Sequence, residues 1–220
     1  MNPIVKGITQ IRNSILYSIY LSLSILALQL LGLLFKNIFL IVVTLLLALA
    51  ALVLCIILII RLYSGIKLLR KVNLIEKLNQ RLDQAISYFS LTIAVGIISF
   101  IVIIIGSVLL SPVTITVGMI ISLLILVFSW LFMLRLIQVN GILGVYARNK
   151  SLVDTATSVK SLFYIQIGAS VLSYAAMLLK TYMSLWYLAI MVPVWIFSIF
   201  FLIVFIGMLN KTIKLYSQAE

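Results

Sequence analysis

The stretch that decides the fold is residues 61–83, which read RLYSGIKLLRKVNLIEKLNQRLD. It holds six of the sixteen basic residues and two of the four acidic residues, and long uncharged runs lie on both sides of it. One Arg or Lys at the centre of a membrane helix costs about 2.5–3.5 kcal/mol, so a segment this charged must lie in water or at the membrane surface. Its location at the membrane surface therefore fixes the side from which the two neighbouring uncharged segments enter the membrane.

The composition predicts an integral membrane protein. Of the 220 residues, 65% are hydrophobic and 9% are charged, and the mean hydropathy is +1.34. Soluble domains carry about 25% charged residues, so lipid must solvate most of this surface. The net charge of +12 is confined to short segments, as the positive-inside rule predicts, and we therefore expect no nucleic-acid partner.

Five runs without charged residues are long enough to cross a bilayer. The uncharged stretch 84–134 has 51 residues; as one helix it would be about 75 Å long, against a hydrocarbon core of about 30 Å, so it must cross twice. Pro112 marks the break. The sequence predicts an all-α polytopic membrane protein with six transmembrane helices, arranged as three antiparallel hairpins in one membrane domain over residues 1–220. The predicted spans are about 14–35, 38–60, 85–110, 115–134, 161–179 and 185–209.

The distribution of basic residues predicts the orientation. With the N-terminus in the cytoplasm, the inside segments carry fourteen Lys and Arg residues, and the outside turns carry only Lys36 and Lys180. This asymmetry favours a multi-pass protein of the cell membrane with both termini inside. The basic segments 61–83 and 135–160 are then cytoplasmic.

Groups that carry chemistry are scarce in this sequence. The chain has no histidine and one cysteine, Cys55, which excludes an intrachain disulfide, His-based metal sites and the commonest general base. Ion-coupled transporters usually place an ionisable group at membrane depth, but no charged residue falls within a predicted span. We predict that the chain is not an enzyme and has no catalytic residues, metal site or cofactor.

Small residues recur at helical spacing in the predicted spans. Such residues form helix-packing seams, because small side chains allow two helix backbones to approach closely. The predicted seams are Thr44, Ala48, Ala51 and Cys55 in the second span, Thr92, Gly96, Ser99 and Gly106 in the third, and Gly118, Ser122 and Ser129 in the fourth. A polar pathway for a small solute is the alternative, with Gln29 and Gln166 as its strongest candidate binding groups.

The basic side chains of residues 61–83 predict a binding surface. Projected as one helix, five of them fall within a sector of about 120°. They are Lys67, Arg70, Lys71, Lys77 and Arg81. We predict that they contact anionic lipids of the inner leaflet, where each charge contributes about 1 kcal/mol, or a partner protein. The alternative is a solvated helix extension that only sets the topology.

Two inner segments begin alike, with RLYSGI at residues 61–66 and RLIQVNGI at residues 135–142. Matches this short do not distinguish an internal duplication from chance. Together with the six-span layout, this helix exit resembles small archaeal membrane proteins of unknown function. The resemblance implies a membrane location and six helices, and no activity.

The expected function follows from the missing chemistry and the basic inner surface. We expect a non-catalytic accessory or scaffold subunit that packs against other membrane subunits, against copies of itself or against lipids. The alternative is a small-solute-binding transporter subunit or facilitator, which resembles in size and span number the substrate-binding subunits of vitamin uptake systems.

Overall fold

The computed structural model describes residues 2–35, 38–109, 112–179 and 184–218. Within them the chain forms six α-helices and no β-strand, which confirms the all-α fold class. The helices are α1 (Pro3–Phe35), α2 (Ile38–Lys71), α3 (Glu76–Val108), α4 (Pro112–Tyr146), α5 (Lys150–Leu179) and α6 (Ser184–Ser217). Many side chains near the ends of α1, α5 and the starts of α2, α4 and α6 lie outside the described part.

The helices continue beyond the predicted spans into the basic segments. Their lengths range from 30 residues in α5 to 35 in α4, or about 45–52 Å at 1.5 Å per residue. A hydrocarbon core of about 30 Å covers only part of that length. Most of residues 61–83 and 135–160 is therefore helix rather than loop.

Three of the described helical segments are long and apolar enough to cross a membrane. They are Glu76–Gly106, Leu123–Tyr146 and Ile196–Ser217, and an 18-residue stretch within each has a mean hydropathy of 2.7, 1.9 and 2.1, respectively. A segment of 18 or more largely apolar residues is typical of a membrane span. These segments support the prediction of a membrane protein, while the count of six crossings and the orientation stay predictions.

The helices form two compact units, which we describe separately. One contains residues 1–72 and 209–220, and the other contains residues 73–208. We call them the terminal unit and the central unit. The prediction of a single membrane domain over residues 1–220 stays a prediction.

On α3, α4 and α5 the fully buried apolar side chains described by the structure lie near or beyond the inner edges of the predicted spans. They include Leu82 on α3, Leu136 on α4 and Val159 on α5, each at most 1% exposed. In mid-span, by contrast, Ile97 and Ile101 on α3 are 56% and 49% exposed. Lipid tails solvate apolar side chains as well as a protein core does, so burial is required only where the helices leave the membrane.

The chain turns between α2 and α3, in the middle of the basic stretch. Asn73 has a left-handed φ of 47°, which ends helical continuity after Lys71. The carbonyl of Ile75 then accepts the backbone N–H of Asn79 at 3.1 Å, and the Asn79 Nδ2 donates to the side-chain Oδ1 of Asn73. The single-helix projection of residues 61–83 is therefore wrong, because these residues belong to two helices with a turn between them.

Two glycines bring α1 and α2 together in the terminal unit. A Cβ atom added to Gly65 would lie 2.8 Å from the carbonyl oxygen of Gly7, and one added to Gly7 would lie 2.8 Å from the carbonyl oxygen of Gly65. Real Cβ atoms do not approach backbone oxygens this closely, so only glycine fits at either position. On the same α1, the Arg12 Nη1 donates to the Asn210 side-chain oxygen at 3.0 Å and joins α1 to the last residues of α6, which belong to this unit.

In the central unit a polar contact joins α3 to α4. The Ser99 hydroxyl donates to the backbone carbonyl of Gly118 at 2.9 Å and is 3% exposed. The same glycine lies against Ile103, whose Cγ1 would be 2.5 Å from an added Cβ. About three to four turns away, Phe89 and Phe132 pack with ring centroids 5.1 Å apart. The two helices are thus held at several levels along their length.

Candidate functional site

A groove lies in the central unit between the start of α3, the end of α4 and the start of α5. Its volume is about 460 Å³. Apolar side chains form most of its walls, and three cations, an amide, a hydroxyl and a phenol also line it. The lining residues are Ile75, Lys77, Arg81, Ile137, Gln138, Gly141, Ile142, Val145, Tyr146, Val153, Ala156, Thr157 and Lys160. We call it the basic groove.

Close packing of α4 on α5 sets one side of the basic groove. A Cβ added to Gly144 would lie 3.1 Å from the backbone nitrogen of Val153, and one added to Gly141 would lie 3.5 Å from the Ala156 Cβ. The two glycines are three residues apart on α4 and face residues three apart on α5, so the helices approach along a full turn. Gly141 itself lines the groove, and the missing side chain leaves its floor open.

The turn between α4 and α5 holds these two helices in register. Arg148 has a left-handed φ of 51°, and the N–H of Arg148 donates to the carbonyl of Val145 at 3.0 Å, while that of Asn149 donates to Gly144 at 2.9 Å. This is the Schellman pattern of a helix end. The Asn149 side-chain oxygen then accepts the N–H of Leu152 at 2.9 Å and caps α5.

The cations of the basic groove are held by local contacts. The Arg81 Nη1 donates to the Gln84 side-chain oxygen at 3.0 Å, and the Lys160 ammonium lies 5.8 Å from the ring centroid of Tyr164. That second distance is typical of a cation–π contact. Lys77 is exposed at the rim. No residue that lines the groove in the described structure carries a carboxylate, so the groove has a positive potential that attracts anions.

A fourth cation, Arg135, lies close in sequence to the groove residue Gln138 and touches it. The Arg135 Nη1 donates to the Gln138 side-chain oxygen at 2.8 Å, and its guanidinium lies 5.8 Å from the ring centroid of Tyr88. Its Nε is buried and lacks a hydrogen-bond partner among the described residues. Arg135 thereby orients the amide that the groove presents.

The structure divides the predicted basic surface. Lys77 and Arg81 line the basic groove, whereas Lys67, Arg70 and Lys71 are exposed on α2, in the terminal unit. The prediction that the five residues contact lipid or a partner stays a prediction.

Lys160 lines the groove, but the sequence around it did not mark it as a candidate binding residue. It precedes the fifth predicted span directly, and Arg81 precedes the third by one turn. Both were therefore expected at the same membrane boundary, which was the signal available in the sequence.

The residues of the predicted α3 seam differ in their surroundings, and their role in helix packing stays a prediction. Ser99 and Gly106 are buried, and a Cβ added to Gly96 would lie 3.9 Å from the Ile125 Cδ1. The Thr92 hydroxyl donates to the carbonyl of Tyr88 on its own helix at 2.9 Å. The side chains of the α2 seam, Thr44, Ala48, Ala51 and Cys55, lie outside the described residues, as does that of Ser122.

Gln166 makes a polar contact within the fifth predicted span. Its Nε2 lies 2.6 Å from the Ser198 hydroxyl on α6, one turn from the pair Phe163 and Phe201, whose ring centroids are 5.5 Å apart. The Gln166 Oε1 is buried and has no hydrogen-bond partner among the described residues. An unpaired buried acceptor costs about 1–3 kcal/mol, which favours occupation by a donor. The side chain of Gln29, the other candidate, lies outside the described part.

No family model matches the chain, and no curated protein or solved structure is detectably similar to it. The resemblance to small archaeal membrane proteins therefore stays a prediction.

Proposed function

We propose that this chain is a non-catalytic accessory or scaffold subunit of the cell membrane. It crosses the bilayer six times as three antiparallel hairpins, with both termini in the cytoplasm, and it packs against other membrane subunits or lipids. The contacts Gly7–Gly65, Ser99–Gly118 and Gln166–Ser198 each join consecutive helices and support the hairpins. The charge asymmetry supports the orientation.

The observation that carries this proposal is the basic groove. Its walls are mostly apolar, and Lys77, Arg81 and Lys160 line it without a carboxylate among the described lining residues. An amphipathic anionic segment of a partner subunit satisfies both features, since its apolar face fills the walls and its acids pair with the cations. The groove lies beyond the inner ends of the predicted spans, where such a partner segment is accessible.

Purification in mild detergent followed by mass spectrometry tests the proposal. We expect stoichiometric membrane subunits to copurify with the wild-type chain. The variant Lys77→Gln, Arg81→Gln, Lys160→Gln should reduce this recovery at least tenfold, since charge-assisted contacts each contribute about 1.5–3 kcal/mol.

The matched control removes the same number of charges from the other half of the predicted surface. The variant Lys67→Gln, Arg70→Gln, Lys71→Gln should keep its partners, because these residues lie on α2 and not in the groove. A wild-type chain that purifies alone would contradict the scaffold function. Equal recovery from the two variants would contradict the role of the groove.

Cysteine labelling tests the orientation. In a Cys55→Ser background, Lys71→Cys should react with an impermeant maleimide only after the cytoplasmic side is opened, and Thr114→Cys should react in intact cells. The reason is that Lys71 ends α2 within the basic stretch, whereas Thr114 lies in the first turn of α4, within the uncharged residues 84–134. The reverse labelling pattern would contradict the orientation without affecting the fold.

The alternative function is a small-solute-binding transporter subunit or facilitator. The buried, unpaired Oε1 of Gln166 favours it, because a bound solute with a donor group would satisfy that oxygen. A retained small metabolite in the same mass spectra, lost in Gln166→Leu, would support this alternative.

A further inference from the structure

A second groove lies in the terminal unit between α1 and α2. Its volume is about 490 Å³. Its lining residues are Tyr17, Tyr20, Ser24, Leu54, Ile57, Leu58 and Arg61. From these residues we propose that the groove, here called the lipid cleft, binds one inner-leaflet phospholipid, with an acyl chain between the helices and its phosphate on Arg61. The proposal rests on the membrane orientation given above.

The lipid cleft runs inward from the membrane boundary. Arg61 directly follows the second predicted span, and Leu54 lies seven residues deeper, or about 10 Å at 1.5 Å per residue. Tyr17 and Ser24 on α1 cover the same depth. Half of a 30 Å hydrocarbon core is about 15 Å, so the cleft reaches well into the inner leaflet.

Polarity changes along the lipid cleft in the order that a phospholipid requires. Along the predicted spans, Arg61 lies at the inner boundary, Tyr17 and Tyr20 lie in the inner part of the first span, and the α2 wall at Leu54, Ile57 and Leu58 is aliphatic. The Ser24 hydroxyl, deeper in the cleft, needs no acceptor from a ligand, because its Oγ donates to the carbonyl of Tyr20 at 2.8 Å. The α2 wall of Leu54, Ile57 and Leu58 offers no side-chain donor or acceptor, which suits an acyl chain better than a polar solute.

The walls are open to the hydrocarbon on one side. Tyr20 is 62% exposed and Ile57 is 44% exposed, while Leu58 behind them is 8% exposed. A lipid can therefore enter sideways from the bilayer, with Leu58 as the packed back of the cleft. Tyrosine at the membrane interface also favours the headgroup level.

The anion that pairs with Arg61 cannot come from residues 1–72, because they contain no Asp or Glu. Arg61 is exposed at the mouth of the cleft, and its planar guanidinium binds phosphate oxygens in a bidentate manner. A phosphodiester is the anion present at this depth in a membrane. Charge complementarity together with the aliphatic α2 wall thus favours a phospholipid, which supplies a phosphate and an acyl chain in one molecule.

Native mass spectrometry of the full chain with added phosphatidylglycerol tests the lipid cleft. Arg61→Gln should weaken the tightest phospholipid adduct about tenfold, consistent with the loss of one charge-assisted contact. Ile57→Trp should weaken it as well, because the indole fills the space of the acyl chain. Lys6→Gln removes an exposed charge from α1 outside the cleft and should leave the adduct unchanged.

Crosslinking provides a second measurement that requires no variant. Phosphatidylglycerol with a diazirine in its acyl chain should label peptides that contain residues 17–24 and 54–61 of the wild-type chain in preference to other exposed apolar segments, such as residues 97–105. Even labelling of these segments, or an unchanged adduct in Arg61→Gln, would overturn the proposal. Both readouts use the chain in defined lipid and need no partner subunit, so they remain informative if the scaffold function fails.

Discussion

Gly65→Leu should destabilise the protein by about 3 kcal/mol, at the upper end of the range for overpacking. The reason is that its Cβ alone would lie 2.8 Å from the backbone oxygen of Gly7 and 3.0 Å from the Ile11 Cγ1. A backbone atom cannot move aside as a side-chain tip can, so α1 and α2 must separate. Thermal unfolding in detergent, followed by circular dichroism, measures the change.

Gly168→Leu is the matched control for this change. Gly168 also lies within a helix, and nothing lies within 4 Å of a Cβ added there. Leucine is a better helix former than glycine by roughly 0.5–1 kcal/mol, so this variant should be unchanged or slightly more stable. Equal destabilisation by both substitutions would show that the Gly7–Gly65 contact does not hold these helices together.

Phe205→Ala should destabilise the protein by about 2–3 kcal/mol, below the range of 3–5 kcal/mol for Phe→Ala in soluble cores. Phe205 is 0% exposed, and its ring lies 6.2 Å from that of Phe201. Its removal leaves a cavity. The cost is lowered because detergent covers apolar surface in the unfolded state, so the lost packing remains as the main contribution.

Phe200→Ala serves as the control on the same helix. Phe200 is 50% exposed, so Phe200→Ala should change the free energy of unfolding by less than about 0.5 kcal/mol. The comparison separates packing from the hydrophobicity of α6, because both variants remove the same side chain. A larger effect from Phe200→Ala would place the stabilising contact on the opposite face of α6.

The all-α class could be predicted from the sequence, because uncharged runs of about twenty residues allow only helices or barrels in a bilayer, and their length is helical. The break at Pro112 was predicted because the uncharged residues 84–134 are too long for one crossing and proline interrupts a helix. In the structure α4 begins at that residue. The turn within residues 61–83 was missed. Periodicity continues across it, and a single Asn in a left-handed conformation gives little sequence signal.

The candidate site was only partly predictable for a related reason. Lys77 and Arg81 could be chosen because they are charged and lie close together in sequence. Lys160 joins them only through the packing of α5 on α4, which depends on contacts at Gly141 and Gly144. The two glycines were visible in the sequence, but their facing residues were not, since helix pairing is set by shape and not by local pattern.

The sequence by itself determined that lipid surrounds this chain, that its spans are helices and that its charges collect in a few segments. These properties follow from composition and from the cost of charge in hydrocarbon, which act on each segment alone. Only the tertiary structure decided which cations share a groove and that residues 61–83 contribute to two helices. It also decided that Gly7 faces Gly65. Such contacts join residues far apart in sequence, and close packing between specific surfaces selects them.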